Sequence, residues 1–185
     1  MHREFILNLL DEYSAFDEAE HQMHQALSTF VRENARCFDR SLTQGHITGS
    51  AWLVDRNFQH VFFTHHKKLN RWFQPGGHSD GDPNTLAVSM REASEESGIE
   101  DVFIQPVDNS IFDIDVHTIP ANKKEAEHLH YDIRFLLETD MRHPLRISEE
   151  SNEIAWINLE NIPEYTQEDS ILRMIDKMTK LQGHK

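Results

Sequence analysis

The chain of 185 residues has a single cysteine, Cys37. One thiol excludes an internal disulfide and a thiolate-rich zinc site, and it points to a reducing compartment. Long hydrophobic runs are missing as well. Nowhere do the roughly 18 apolar residues that a membrane-spanning helix needs run together. Glu4, Asp11 and Glu12 interrupt the first apolar run, so the basic, apolar and small-residue blocks of a signal peptide are not there. The expectation is a cytoplasmic protein with no membrane partner. Positive charge is scarce: 18 Lys and Arg stand against 32 Asp and Glu, a formal net charge of −14. A surface this acidic repels nucleic-acid backbones and anionic membranes over a Debye length of about 8 Å, and no cluster of basic residues offsets it locally. Nucleic acid is therefore excluded as a partner. A phosphate-bearing substrate has to approach against the mean field, which favours bridging metal ions. Internal repeats and low-complexity tracts are absent too.

What remains is an ordinary globular composition, 38% hydrophobic and 27% charged, on a chain long enough for one cored domain with an appendage. The stretch from Gly76 to Ile99, GGHSDGDPNTLAVSMREASEESGI, holds the chemistry. Its second half reads as a helix with Leu86, Met90 and Ala93 on one stripe and Glu92, Glu95 and Glu96 on the side away from it. Asp82 suits an N-cap with Pro83 at the first helical position, and Gly98 stands where a left-handed C-terminal cap belongs. Like charges four apart, Glu92 and Glu96, disfavour a bare helix by a few tenths of a kcal/mol, and more where water is excluded. Arg91 reaches Glu95 and offsets part of this. A hard divalent ion accounts for all three acids better.

These residues resemble the Nudix box: Gly, five residues, Glu, seven residues, then Arg-Glu-aliphatic-x-Glu-Glu-x-Gly-aliphatic. Gly77 is the first Gly, and Arg91, Glu92, Ala93, Glu95, Glu96, Gly98 and Ile99 fill the second part. One position departs, because the box's first Glu falls on Pro83, with only Asp80 and Asp82 nearby. The resemblance implies an α/β/α sandwich with a mixed sheet and a loop-helix-loop that binds Mg2+ or Mn2+. It also implies hydrolysis of a nucleoside diphosphate linked to another moiety. Glu92, Glu95 and Glu96 would hold the metal, Gly77 would offer its carbonyl, and Arg91 would orient the acids. A solvated acidic helix is the plain alternative. In function, the competing class is a non-catalytic Nudix-like module that senses a nucleotide and controls a partner. A prenyl diphosphate isomerase on the same fold would need an active-site thiol, and Cys37 lies far upstream of the box.

Residues 1–42 form a helical extension and 43–185 the hydrolase domain in this reading. The extension carries Phe5, Leu9 and Leu10 on one stripe and Met23, Leu27, Phe30 and Val31 on a second, with a break near Ser14 to Asp17. It packs on the core, shapes the substrate pocket or makes a homodimer contact. Cys37 reads as a packed thiol. Ala51–Val54 and Val61–Thr64 form a hairpin about Asp55, Arg56 and Asn57, and Trp72-Phe73-Gln74 delivers the chain to the glycine pair, where Gly76 and Gly77 supply backbone freedom.

Two later stretches alternate strictly. In 112–117, Phe112, Ile114 and Val116 face away from Asp113, Asp115 and His117. In 128–135, Leu129, Tyr131, Ile133 and Phe135 face away from His128, His130, Asp132 and Arg134. Paired across the segment holding Pro120, Asn122, Lys123 and Lys124, they bring three histidines, three aspartates and an arginine onto one polar face. That face is a wall of the substrate pocket, with Arg134 and imidazoles such as His130 contacting phosphate or base. Otherwise it is a transition-metal site of His117, His128 and His130, or simply solvated. His78 is a further member or an exposed loop residue. Trp72 and Tyr131 are candidates for stacking on a base and equally for the core. A strand around Ile154 and Trp156 and a final helix with Ile171, Leu172, Ile175, Met178 and Leu181 close the chain. Just upstream, Glu150 or Glu153 occupies the region where many Nudix proteins carry a further acid, and Glu150 is the general-base candidate beside Glu95.

Overall fold

The computed structural model describes residues 2–123 and 125–183, so Lys124 lies outside the described residues. The fold is α/β, a mixed sheet flanked by helices with an N-terminal helical region. Among the described residues eight strands hydrogen-bond into the sheet. The chain separates into two compact units.

The first unit comprises the chain up to Ser50 with Gly76–Ser89 and Asn109–Phe135. Helix α1, Glu4–Glu12, and helix α2, Glu18–Glu33, are separated at the expected break, where the Asp17 side chain accepts the Glu20 N–H and starts α2. In α2 Leu27, Phe30 and Val31 are buried as expected, but α1 buries Ile6 and Leu10 while Phe5 is 40% exposed. The stripe is rotated by one residue because Ile6, four before Leu10, is on the same face and Phe5 is not. Strand β1, Gly45–Asp55, takes in the expected run of Ala51–Val54 and begins six residues before it. Its first half pairs antiparallel with β4, Gly76–His78, through Thr48↔His78, Gly49↔Gly77 and Ser50↔Gly76. The glycine pair is thus extended strand. At Gly76 the reason for glycine is space, since a Cβ there would lie 2.1 Å from the Ser50 hydroxyl. Strand β6, Asp113–Ile119, and strand β7, His128–Thr139, pair antiparallel with Asp113↔Arg134, Asp115↔Asp132 and His117↔His130 in register. The alternation therefore does put the predicted polar residues on one face. Helix α2 meets β6 through buried Glu20, which accepts N–H groups from Phe16 and Ile114 and the Tyr13 hydroxyl. These contacts tie the N-terminal helices to the sheet.

The second unit comprises Ala51–Pro75, Met90–Asp108 and the chain from Leu136 onward. Strand β2, His60–His66, forms the expected hairpin with β1 at Val54↔Val61, closed by Asp55 accepting the Gln59 and His60 N–H groups. Strand β3, Arg71–Phe73, and strand β8, Ser151–Asn158, flank β2 on either side, and β5, Gln105–Pro106, pairs with the end of β7. A short helix α4, Ile162–Tyr165, precedes α5, Asp169–Gly183. Helix α5 buries Ile171, Met174 and Met178 together with Arg173 and Lys177, whereas Leu181 is 46% exposed. Of the expected stripe, Ile171 and Met178 are buried, Leu172 and Ile175 are half-buried and only Leu181 is exposed; Arg173 and Lys177 are buried beside them, since long basic side chains lay their hydrocarbon stems along apolar surface.

Candidate active site

Helix α3, Thr85–Ser97, presents the acids. Its N-cap is Asn84, whose side chain accepts the Ala87 N–H at 3.1 Å, and not Asp82, which accepts the Asn84 N–H at 2.9 Å in a turn just before. The helix starts two residues later than expected because the Asn84 side chain, and not that of Asp82, reaches an N–H of the first turn. The fully buried face is Thr85, Val88, Ser89, Ala93 and Ser97, with Leu86 and Met90 only half-buried. Small residues let the helix sit close: a Cβ on Gly49 would lie 2.8 Å from the Thr85 carbonyl. The C-terminus is fixed as the sequence implies, with Gly98 at φ +73° donating its N–H to the Ser94 carbonyl. Arg146 donates its N–H to the Ser97 carbonyl at 2.8 Å, and its backbone lies so close to Gly98 that a side chain there would collide.

On this helix Arg91 binds Glu92 at 2.9 Å and lies 4.0 Å from Glu95, so its stronger partner is the neighbouring acid. The Glu92 side chain is 15% exposed and that of Glu95 65%. Burial holds the Glu92 carboxyl above its usual range; the Arg91 guanidinium opposes this, while the charges of Glu95 and Glu150 add to it. Glu150, in the turn before β8, therefore acts directly on Glu92, whereas Glu153 pairs opposite His65 along β8. Glu96 is half-buried one turn beyond Glu92 on the same face. A half-buried carboxylate disfavoured in its charged form, with further carboxylates on the same helix and at Glu150, has the hard-oxygen chemistry that suits a divalent ion such as Mg2+ or Mn2+.

Trp72, on β3, is half-buried between His65, with ring centroids 5.2 Å apart, and Tyr165, edge-on at 5.4 Å. The other three expected substrate contacts are corrected by the structure. Tyr131 is 8% exposed and stacks face to face on Phe30 at 4.0 Å, so its ring face is taken by the core. Arg134 is buried among carboxylates, donating Nε to Asp132 at 2.8 Å and its two terminal nitrogens to Asp113 and Asp115 at 3.2 Å each. Burial would lower its affinity for a proton, but the three aspartates outweigh this and keep it charged. It is committed to this network and not open to a phosphate. Thr48 and Ser50 of β1 donate to the second oxygen of Asp132 at 2.8 and 2.7 Å.

His130 belongs to a group of imidazoles other than the expected trio. One ligand atom from each of His46, His78 and His130 lies within 4.8 Å of the others. His117 bonds Asp115 through Nδ1 at 2.9 Å, and His128 stacks on His46 with its Nδ1 on the Ala126 carbonyl. His46 is the residue that sequence reasoning missed. The signal was the alternation His46, Thr48, Ser50, which leads directly into the apolar run from Ala51 read as the strand. Burial pushes the His46 imidazole down to about 4 and that of His130 further, so both are neutral nitrogen donors at neutral pH.

A mixed sheet flanked by helices, with a doubly capped helix that carries three glutamates between residues 92 and 96, defines an α/β protein. A family model described as NUDIX domain matches residues 45–178, and the chain belongs to the NUDIX domain family. It is 32% identical over 82 residues to a "Probable DHNTP pyrophosphohydrolase" of Lactococcus lactis subsp. cremoris (strain MG1363), a match covering 43% of this chain and 47% of that protein. The chain thus spans about half the length of the curated relative it matches. Among solved structures, a C. elegans Ap4A hydrolase in binary complex superposes with a TM-score of 0.61 at 13% identity, covering 75% of this chain and 98% of that one. The E. coli dihydroneopterin triphosphate pyrophosphohydrolase does so with a TM-score of 0.55 at 13% identity, covering 71% and 92%. At these identities the two structures speak to the fold. Helices α1 and α2 lie outside the matched stretch.

Proposed function

We propose that this chain is a metal-dependent pyrophosphohydrolase acting on a nucleoside diphosphate linked to another moiety, in the cytoplasm. The observation that carries the reading is Glu92: a half-buried carboxylate, disfavoured in its charged form, with Glu95 and Glu150 close enough to add to the repulsion. A fold spends stability on such a group where a cation is meant to relieve it. Glu92, Glu95 and Glu96 would hold Mg2+ or Mn2+. The bound ion would neutralise phosphate oxygens and lower the pKa of an attacking water. The chain's own groups supply the rest. Arg91, paired to Glu92 and near Glu95, fixes the orientation of both acids. Glu150 or Glu95, both solvent-accessible, takes the proton from water. Trp72 is the stacking candidate that survives, because it is half-buried at the sheet edge formed by β3. Residues 1–42 serve as an extension to the hydrolase domain of 43–185.

The names of the relatives extend the substrate range to test: dihydroneopterin triphosphate and diadenosine tetraphosphate join nucleotide sugars, ADP-ribose, NADH, CoA and nucleoside triphosphates. Cleavage is read as phosphate released after phosphatase coupling, with Mg2+ or Mn2+ present and with chelator. Glu96→Gln and Glu95→Gln are expected to lower turnover by about 100-fold or more, the scale on which a positioned acid or base contributes. Unchanged turnover in both variants refutes the assignment. Saturable nucleotide binding without product under metal-replete conditions would replace it with the non-catalytic sensing module.

A further inference from the structure

We propose that His46, His78 and His130 form a site for one divalent transition-metal ion of the zinc class, built from other residues than the acids of α3. Three strands supply it: His46 from β1, His78 from β4 and His130 from β7. Their ring centroids lie 5.0, 4.7 and 5.1 Å apart in pairs, and one ligand atom of each lies within 4.8 Å of the others. Four-coordinate zinc at about 2.0–2.1 Å from each nitrogen sets neighbouring donors about 3.3–3.4 Å apart. The rings therefore close on an ion by side-chain rotations of about 1.5 Å or less.

Hydrogen bonding gives the second, independent observation. His46 is 3% exposed, and neither of its ring nitrogens has a hydrogen-bond partner. The Nε2 of His130 is buried in the same condition. An imidazole buried without partners costs free energy that a protein ordinarily avoids, and a metal–nitrogen bond removes that cost at the one nitrogen of each ring that binds. Imidazole donors select zinc, cobalt, nickel or copper over the hard ions that suit the carboxylates of α3. His128 supports the arrangement from outside. Its Nδ1 is engaged by the Ala126 carbonyl, which fixes the tautomer, and its ring stacks on His46 at 5.0 Å. The role that follows is structural. Strand β4 is three residues long, and an ion on His78 would pin it to β1 and β7 beside Gly77.

The test uses untagged full-length protein, stripped with chelator and then equilibrated with Zn2+ or Co2+. Metal content after desalting is expected at one ion per chain, with a visible ligand-field spectrum for Co2+ and a rise in melting temperature. His46→Phe and His130→Phe, which keep an aromatic ring in place, are expected to weaken binding by at least about 100-fold. The double variant Glu95→Gln/Glu96→Gln is expected to keep the ion, so failure of this inference is distinguishable from failure of the hydrolase reading. An ion lost in the glutamate variant and kept in the histidine variants overturns the proposal, as does a wild-type chain that takes up none. If the phenylalanine variants fail to fold, His78→Gln, at a half-buried ring, gives the readout: a folded His78→Gln chain that keeps its ion overturns the proposal too.

Discussion

Replacing Arg134 with methionine separates a structural from a substrate-binding role for this buried charge. The guanidinium is 4% exposed, and its carboxylate partners Asp113, Asp132 and Asp115 are 0%, 4% and 15% exposed. Methionine fills a similar volume, so the loss is electrostatic and not a cavity. Removing one partner of a buried ion pair costs about 3–5 kcal/mol, chiefly because the remaining charge stays in a poor solvent. Here three carboxylates are left behind, although Asp132 retains the Thr48 and Ser50 hydroxyls. The expected loss therefore lies at the upper part of that range. For a chain of this length it corresponds to a melting temperature lower by about 8–20 °C. Arg134→Lys keeps the charge but not the planar fork that reaches three acids, and should recover part of the loss. The assay is urea unfolding followed by tryptophan fluorescence and circular dichroism. Where the variant folds, KM and kcat for the hydrolysed substrate are measured beside it. A stability loss under about 1 kcal/mol together with a raised KM would refute the structural account and return Arg134 to the phosphate.

Three further outcomes are expected. Glu20→Ala removes the acceptor for the Phe16 and Ile114 N–H groups and the Tyr13 hydroxyl, and at about 1–3 kcal/mol for each buried donor left unpaired it should cost 3 kcal/mol or more in urea unfolding; a cost near zero would mean that α2 does not depend on this contact. Burial raises the Glu92 carboxyl, so stability from this group is present at low pH and lost as pH rises through its folded value. Glu92→Gln should thus be more stable than wild type at pH 7 in chelator and equal to it near pH 3, with the advantage removed by Mg2+; a variant less stable at pH 7 without metal contradicts this. Burial pushes the Cys37 thiol up from 9.0 to about 11, so native protein should resist iodoacetamide at pH 8 and react on unfolding. The same shift leaves stability untouched below about pH 9 and erodes it toward pH 11, which a series of urea midpoints would show.

The acids of α3 were legible because helical spacing, a C-terminal glycine and an oxygen-rich donor set all point the same way. Where the helix starts was not. Pro83 is compatible with a first helical position, and only the reach of the Asn84 side chain to Ala87 decides otherwise. In α5 a periodicity count treats Arg173 and Lys177 as solvent-facing, yet their stems are buried and Leu181 is not. Strands β6 and β7 and their shared polar face could be read from alternation, because a period of two fixes the face without fixing the neighbours. The neighbours then decide the chemistry. Phe30, from a helix well upstream, takes the ring face of Tyr131, and His46, from a strand about eighty residues earlier, makes His130 part of a different trio. Such contacts leave no local trace in a sequence.

The polar face of β7 is divided along its length, and β1 matches the division. Asp132 meets Thr48 and Ser50 of β1 and binds Arg134, while His130 meets His46, two residues before Thr48. At the charged end, one guanidinium is held by three carboxylates. The neighbouring His117 responds to these carboxylates. Burial lowers its proton affinity, but the bond to Asp115 and the charge of Asp132 outweigh burial and raise it overall. His130, opposite His117 in register, is dominated by burial and by the other imidazoles, so it stays neutral. Facing side chains thus take opposite parts: the aspartates raise the proton affinity of His117, while burial and the neighbouring imidazoles lower that of His130.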